Sequence, residues 1–270
     1  MSKILFKNEE INKIIKLYQI DGKTQKEISE IFNCGIKPIR RILKENNIQI
    51  NTRRTNRILI QNYFSNIDTP SKAYLIGLLF TDGNISNSPK RESMVRIQLL
   101  KEDINILEFF KNEIHSNSAI INNNDNTCTF EFRSNLVAQD LSNYNIVPNK
   151  TYKIKQLPKN IPLEYYIDFL RGIIDGDGSL YFTSSDNSFH LSFTSHYIEL
   201  VQDYINIISY FLNIDLSKRY PTFYNNVAKF TLNGKEAYNF ATLLYKNANI
   251  YCKRKYDKYL LAKQKYLTSV

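Results

Sequence analysis

The sequence has few cysteines and no long apolar run, and each absence excludes classes of protein. Its three cysteines, Cys34, Cys128 and Cys252, are far apart in 270 residues, which fits neither a disulfide framework nor a CxxC zinc site. The longest apolar run, Tyr74–Phe80, has seven residues, whereas a membrane-spanning helix needs roughly 18 to 20. A secretory leader is also missing. We therefore expect an intracellular protein with reduced thiols, in the cytoplasm or nucleoid or in an organelle matrix.

Acidic residues are the minority among the charged side chains. The chain has 36 Lys and Arg against 26 Asp and Glu, a formal net charge of +10. This excess favours a polyanionic partner, because Lys and Arg gain binding free energy by displacing counterions from phosphate. Membrane surfaces attract the same charge, but the basic residues do not lie on one short amphipathic anchor. Solvated lysines would give the same total, so the charge indicates a nucleic acid only together with a motif.

Residues 8 to about 48 have the pattern of a compact helical unit. Apolar residues recur at helical spacing from Ile11 to Tyr18, and the pattern breaks at Asp21-Gly22. Thr24 is followed three residues later by Glu27, which is the capping-box pattern of a helix start. We therefore predict one helix before the break and a second that begins after Thr24.

A third, basic helix is predicted after the turn Asn33-Cys34-Gly35. Two helices joined by a short glycine-containing turn are typical of a helix-turn-helix, in which the last helix enters the major groove of DNA. The side chains expected to contact DNA from this helix are Lys37, Arg40, Arg41 and Lys44. A three-helix bundle for protein contacts, or a capped helical pair, would show the same periodicity.

The arginine-rich segment NTRRTNR at 51–57 favours the DNA interpretation. It lacks apolar periodicity, as expected of an arm that lies along DNA or in its minor groove, and its arginines are Arg53, Arg54 and Arg57. Residues 1–66 contain thirteen Lys and Arg against six Asp and Glu, a net charge of +7. We predict an all-α helix-turn-helix domain at 1–50 and a basic linker at 51–66.

From about residue 67 the chain repeats one order of predicted elements. Each copy opens with an apolar helix that ends in an acid and a glycine, LIGLLFTDG at 75–83 and LRGIIDGDG at 170–178. The elements that follow match in pairs: NIS with SLYFTSS, MVRIQLL with FHLSFTS, helices at 104–114 and 198–211, and TCTFEFR with VAKFTLN. A closing helix and basic residues end each copy. The repeat predicts two α+β units related by a pseudo-two-fold axis, at 67–160 and 161–270.

The two acid-glycine helices are the strongest functional signal. Both are short and largely apolar, so each should be buried on nearly all sides. Gly77 and Gly172 occupy matching positions, and glycine costs about 1 kcal/mol in a helix interior. A matched pair therefore suggests that the two helices pack closely at these points. Packed side by side, they would bring Asp82 and Asp177 together at their C-terminal ends.

Two neighbouring carboxylates are costly unless a cation compensates their charge. Mg²⁺ takes oxygen ligands and keeps waters that can be deprotonated. We therefore predict Mg²⁺ or Mn²⁺ at Asp82 and Asp177, with the backbone carbonyls of Thr81 and Gly176 placed to help. One Asp-Gly alone would be an ordinary turn, but two copies after matched helices are hard to obtain by chance.

Two other metal sites are excluded by spacing. The run DGDGS at 175–179 resembles the start of an EF-hand calcium loop, but Leu180 and Asp186 occupy the positions of its glycine and its last glutamate. The histidines have no metal-ligand spacing and are assigned no role. They are His115, His190 and His196.

Both nine-residue segments resemble the motif of the LAGLIDADG homing endonucleases. The repeat over 67–270, about three-quarters of the chain, resembles the single-chain, two-motif form of that family. In the family, the motif helices form the interface between the halves and their last acids bind the catalytic metals. The resemblance implies these roles for Asp82 and Asp177, and a catalytic role at the phosphate for Lys150. In the second half Arg254 aligns best with that lysine and Lys253 is the alternative, but which of Lys253, Arg254 and Lys255 acts there stays open.

The resemblance also implies an α+β fold in which two pseudo-symmetric half-domains place saddle-shaped antiparallel sheets over DNA. Side chains on the strand after each motif would then alternate between core and DNA. Ile85, Leu180 and Phe182 would point to the core. The expected DNA-facing side chains are Asn84, Ser86, Ser179, Tyr181 and Thr183, and we also expect DNA contacts from Lys253 and Lys255.

The function implied is that of a monomeric intron-homing enzyme, which hydrolyses both strands of a long, non-palindromic duplex with a divalent metal. The predicted helix-turn-helix would add a second DNA footprint. The acid at the sixth position of the motif is present in one half only, because the first motif has Phe80 where the second has Asp175. Two alternatives remain: a maturase that binds intron RNA on the same scaffold, and a non-catalytic DNA-binding regulator. The regulator is expected to lose one or both final acids, and both are present.

Overall fold

The structure is a computed structural model that describes residues 6–19, 23–46, 48, 58–89 and 91–267. The chain divides into two compact units. One consists of residues 1–60 and 114–118, and the other of residues 61–113 and 119–270. The predicted linker arginines Arg53, Arg54 and Arg57 lie outside the described residues.

The N-terminal unit contains the three predicted helices. They are α1 (Asn8–Gln19), α2 (Gln25–Ile31) and α3 (Ile36–Glu45). The capping box is formed: the Thr24 hydroxyl accepts from the Glu27 amide at 2.7 Å, and the Glu27 carboxylate accepts from the Thr24 amide at 2.8 Å. The apolar faces of the helices meet in one small core, formed by Ile14, Ile28, Ile39, Ile42 and Leu43.

Two copies of one α+β arrangement form the second unit. The first copy has α4 (Pro70–Thr81), β1 (Gly83–Ser88), β2 (Arg91–Leu100), α5 (Ile104–Glu113), β3 (Ile120–Asn122), β4 (Thr127–Arg133) and α6 (Asn135–Ser142). The second has α7 (Tyr166–Asp177), β5 (Ser179–Phe182), β6 (Phe189–Ser195), α8 (Ile198–Leu212), β7 (Thr222–Tyr224), β8 (Val227–Asn233), α9 (Gly234–Tyr245) and α10 (Lys253–Leu267). Short 3₁₀ turns lie at Lys101–Asp103, Lys150–Tyr152 and Leu163–Tyr165.

Each copy contains a four-stranded antiparallel sheet with the same topology. The strand orders are β1-β2-β4-β3 and β5-β6-β8-β7. In the second sheet Leu180, Leu191 and Leu232 lie opposite one another on adjacent strands, and all three are buried. Ile85 is likewise buried in the first sheet, so the predicted core positions of Ile85 and Leu180 are confirmed. The predicted α+β fold with two antiparallel sheets is confirmed as well.

The motif helices α4 and α7 pack directly against each other, and glycine makes their close approach possible. A Cβ on Gly77 would lie 2.0 Å from the carbonyl oxygen of Phe169, and one on Gly172 would lie 2.2 Å from that of Tyr74. These distances leave no room for any side chain. Residues 73–80 of α4 are all buried, as the apolar sequence predicts.

Two kinds of element were not predicted. The edge strands β3 and β7 have three residues each, and the helix α10 follows the basic cluster at 253–255. Among the described residues, no helix is long and apolar enough to cross a membrane.

Candidate active site

The last acids of the two motifs lie at the C-terminal ends of α4 and α7. Asp82 is half-buried and Asp177 is exposed. The second motif has no side chain at Gly176, where a Cβ would lie 2.5 Å from an Asp82 carboxylate oxygen and 2.0 Å from the Thr81 hydroxyl. The Asp82 carboxylate therefore lies against the end of the other motif helix, and the helix packing brings the two predicted acids to one site.

The electrostatics of Asp82 reflect this proximity. Burial raises the pKa of its carboxyl to about 6, and the negative charge of Asp177 adds to the effect. The positive charges of Lys150 and Lys255 and a hydrogen bond from the Thr81 hydroxyl oppose it. Since burial is the largest cause, the raised pKa reflects mainly the lost hydration of the Asp82 carboxylate, which a cation bound to it would offset.

A lysine contacts the C-terminal carbonyl groups of each motif helix. The Lys150 ammonium donates to the carbonyl oxygen of Phe80 at 2.9 Å and to that of Thr81. The Lys255 ammonium donates to the carbonyl oxygens of residues 174, 175 and 176, at 2.7, 2.7 and 2.8 Å. Helix C-termini carry partial negative charge that favours a cation there. Burial lowers the pKa of both lysines, against the opposing effect of the nearby carboxylates.

In this structure the second-half side chain that contacts its motif helix as Lys150 does is that of Lys255, whereas the sequence favoured Arg254, with Lys253 as the alternative. Arg254 instead pairs with Glu102 at 2.8 Å and with Asp103 at 2.7 Å, both in the first α+β copy. Lys253 is exposed and pairs with Asp257 at 2.7 Å. The three residues open α10, where successive side chains point about 100° apart. Only one of them can therefore face the end of α7, and the rotation of the helix selects the third.

The difference between the motifs at Phe80 and Asp175 is a difference in packing. The Phe80 ring packs edge-on against Phe169, with 5.9 Å between centroids. Asp175 is buried, and its carboxylate accepts hydrogen bonds from the hydroxyls of Tyr74 (3.1 Å) and Tyr245 (2.7 Å) and from the Cys252 amide (2.8 Å). Burial raises the pKa of Asp175, and these hydrogen bonds oppose the shift. The Asp175 carboxylate is therefore occupied by hydrogen bonds inside the protein.

The donors at this site are of the kind that a hard divalent cation requires. They are carboxylate and carbonyl oxygens, which suit Mg²⁺ or Mn²⁺. The carbonyls of Thr81 and Gly176, predicted as ligands, accept from lysine ammonium groups in this structure. No cluster of three or more His, Cys, Asp or Glu suited to a metal occurs in the described part of the chain. Two carboxylates would therefore need carbonyl, water or phosphate oxygens to complete a coordination shell.

Two cavities flank the acids. One, of about 290 Å³, is lined by Thr81, Lys150, Asp177, Thr194 and His196 among others. The other, of about 330 Å³, is lined by Asp82, Gln98, Gly176 and Arg254 among others. Gln98 and Thr194 are side chains that the sequence interpretation missed, and both lie on the second strand of their sheets. The signal that could identify them is the strand register, which pairs Gly83 with Ile97 and Ser179 with Ser192.

Burial along the strands after each motif follows the predicted alternation in part, because Phe182, predicted for the core, is only partly buried. Asn84 and Ser179 are exposed, and Ser86, Tyr181 and Thr183 are partly buried. Asn84 pairs in register with Arg96, which forms a 2.7 Å ion pair with Glu131. Tyr181 stacks on His190 at 5.0 Å, and the Lys229 ammonium lies 5.8 Å from its ring centre. In the separate N-terminal unit Lys37, Arg40 and Lys44 are exposed, and Arg41 lies 3.8 Å from Glu45.

Comparison with solved structures identifies the architecture. The LAGLIDADG meganuclease I-CpaMI, bound to uncleaved DNA, matches with a TM-score of 0.51 and 12% identity over 73% of this chain and 90% of that chain. The chain has the LAGLIDADG fold. The LAGLIDADG homing endonucleases I-LtrWI, bound to target DNA, and I-GzeII, in complex with a DNA target, also match. Their TM-scores are 0.47 and 0.48, with 14% and 15% identity over 77% and 74% of this chain and 92% of each of theirs.

No protein-family model and no curated protein matches the sequence. The match to I-CpaMI, at 12% identity, shows a shared fold and does not by itself transfer an activity. Within the LAGLIDADG fold, α4 and α7 are the motif helices, and the acid pair with its two lysines lies at their C-terminal ends.

Proposed function

We propose that this chain is a site-specific DNA endonuclease that hydrolyses both strands of a long, non-palindromic duplex with a divalent metal. The observation that carries the proposal is the acid pair Asp82 and Asp177, flanked by Lys150 and Lys255 at the ends of two glycine-packed helices. The LAGLIDADG fold adds support, because I-CpaMI, which has this fold, was solved bound to DNA. A regulator without chemistry would have no need for two partly buried lysines beside two acids.

Each half-domain, 67–160 and 161–270, would serve one DNA strand. Asp82, Asp177 and the carbonyls of Thr81 and Gly176 would hold Mg²⁺ or Mn²⁺, which supplies an activated water and stabilises charge on the phosphate. The ammonium groups of Lys150 and Lys255 would hold positive charge beside the scissile phosphates. In the second half we assign this role to Lys255 because its ammonium group, unlike the guanidinium group of Arg254, lies at the end of the motif helix.

DNA binding would use two surfaces of a monomer. Polar sheet residues after each motif would read base edges, and α3 of the N-terminal helix-turn-helix would contact a second segment of the duplex. Two linked sites raise the overall affinity without any new contact. Because the two halves differ in sequence, each can read a different half of the target, which accounts for a non-palindromic site.

The test is cleavage of a diverse DNA pool in vitro, with sequencing of the released ends. We expect ends that converge on one long site, form with Mg²⁺ and not with chelator, and are lost in Asp177→Asn. Asp215→Asn is the matched control, because Asp215 is an exposed acid that only bonds the neighbouring Ser217 amide. If DNA is retained but never cut with any divalent metal, the catalytic proposal is wrong and a DNA-binding role takes its place.

A further inference from the structure

The two halves of the molecule differ in how their lysines are held in place. A buried carboxylate is costly unless hydrogen bonds compensate its lost hydration. Asp175 has three such bonds, and they come from three different elements: Tyr74 on α4, Tyr245 on α9 and the amide of Cys252. The hydrogen bond from the Cys252 amide joins the interior of α7 to the start of α10.

Cys252 controls the first turn of α10. It directly precedes the helix, and its carbonyl accepts from the amides of Lys255 at 3.1 Å and Tyr256 at 2.9 Å. The bond to the Cys252 amide therefore constrains the position and rotation of this turn, together with the ion pairs of Arg254 with Glu102 and Asp103. The turn carries Lys255, whose ammonium returns to the carbonyl of Asp175 itself at 2.7 Å.

The described residues of the first half form no equivalent of this connection. Phe80 occupies the position of Asp175, and a phenylalanine side chain neither donates nor accepts a hydrogen bond. Lys150 opens a 3₁₀ turn after Asn149, which has a left-handed backbone with φ of 57°. Its amine contacts two carbonyls of its motif helix, whereas Lys255 contacts three. The placement of Lys150 is thus independent of any buried acid in its own motif.

We propose that Asp175 is a positioning residue for Lys255, that it acts through the amide of Cys252, and that it serves the cleavage of one DNA strand only. The strand-specific part rests on the proposed nuclease function, and the positioning part does not. Replacing the carboxylate releases the start of α10, so the Lys255 amine leaves the carbonyls at the end of α7. Lys150 stays in place, and the other strand is still cut.

The first experiment measures lysine position without any activity. Each folded variant is acetylated briefly, and the modification of every lysine is quantified by mass spectrometry. In Asp175→Asn the neutral amide oxygen is a weaker acceptor for the Cys252 amide than the carboxylate, so we expect acetylation of Lys255 to rise about tenfold relative to Lys253, with Lys150 unchanged. Asp215→Asn is the control, because Asp215 is an exposed acid that accepts from the neighbouring Ser217 amide at 2.9 Å.

A second pair of variants keeps the test valid if Asp175→Asn does not fold. Cys252→Pro deletes the N–H that Asp175 binds, and Cys252→Ala keeps it while removing the thiol. We expect Lys255 to be released in the proline variant and protected in the alanine variant. Unchanged Lys255 acetylation in folded Asp175→Asn or Cys252→Pro would overturn the proposal.

The second experiment follows each strand of a supercoiled plasmid that carries the target. We expect Asp175→Asn and Lys255→Met to accumulate circles nicked in the same strand, and Lys150→Met to accumulate circles nicked in the other. Equal slowing of both strands in Asp175→Asn would overturn the strand-specific part. If the wild-type protein cuts no DNA, the proposed function fails, and the acetylation result alone decides the positioning role.

Discussion

The contact between α4 and α7 gives the sharpest test of the site, through Gly77→Ala. The added Cβ would lie 2.0 Å from the carbonyl oxygen of Phe169, whereas ordinary contacts begin near 3.4 Å, so the helices must separate by about 1.4 Å. Overpacking costs up to about 3 kcal/mol, and alanine recovers about 1 kcal/mol of helix propensity. The net loss is about 2 kcal/mol, which lowers Tm by about 4 to 8 °C in a unit of this size.

The effect on cleavage should exceed the effect on stability. Asp82 and Asp177 lie at the ends of these helices, so their separation displaces one acid relative to the other, and a misplacement of about 1 Å can cost a factor of about 100 in rate. Thermal unfolding followed by circular dichroism and single-turnover cleavage well below Tm measure the two effects. Gly35→Ala is the control, because its added Cβ would lie 3.8 Å from its nearest neighbour. A Gly77→Ala protein with wild-type Tm and wild-type cleavage would refute the reasoning.

Three further predictions concern charge. Because burial and Asp177 raise the pKa of Asp82 to about 6, the folded state holds this proton more tightly than the unfolded chain, so stability falls as pH rises from about 4 to 6. Asp82→Asn should therefore stabilise the metal-free protein at pH 7.5, by at most about 3 kcal/mol, and leave its stability unchanged at pH 4. Thermal melts at the two pH values measure this, and equal effects of the substitution at both would contradict it. Mg²⁺ should raise the Tm of the wild-type protein by mass action and should not do so after Asp82→Asn combined with Asp177→Asn. Replacing one of the exposed residues Lys37, Arg40 and Lys44 with serine should reduce the slope of log DNA affinity against log salt concentration by about 1. An unchanged slope in all three variants would argue against α3 as a DNA contact.

Much of the fold follows from local patterns in the sequence. The helical periodicity and the Thr24–Glu27 capping box define the N-terminal helices, because both depend on residues within one or two turns. The doubled acid-glycine segment identifies α4 and α7, and their matched glycines indicate a close contact before any partner is known. Strands β4 and β6 also follow their apolar alternation closely, since one face of each is buried in a core.

The edge strands and the last helix depended on tertiary contacts. β3 and β7 have three residues each and are largely exposed, so no alternation marks them, and pairing with a longer neighbour creates them. In α10 only Tyr259 and Ala262 are buried, too few to produce a recognisable apolar stripe among its charged residues. In both cases the residues that stabilise the element lie elsewhere in the chain.

For the side chains of the active site, too, the sequence determined one part of the arrangement and the tertiary structure the other. The sequence by itself determined that two acids follow two apolar helices, that glycines allow those helices to meet, and that basic residues end each repeat. Only the tertiary structure decided that Lys255 rather than Arg254 reaches the second motif, and that Asp175 faces Tyr74, Tyr245 and Cys252. The physical reason is distance along the chain: these partners lie 70 to 101 residues from Asp175, and the rotation of α10 is set by contacts that no local pattern encodes.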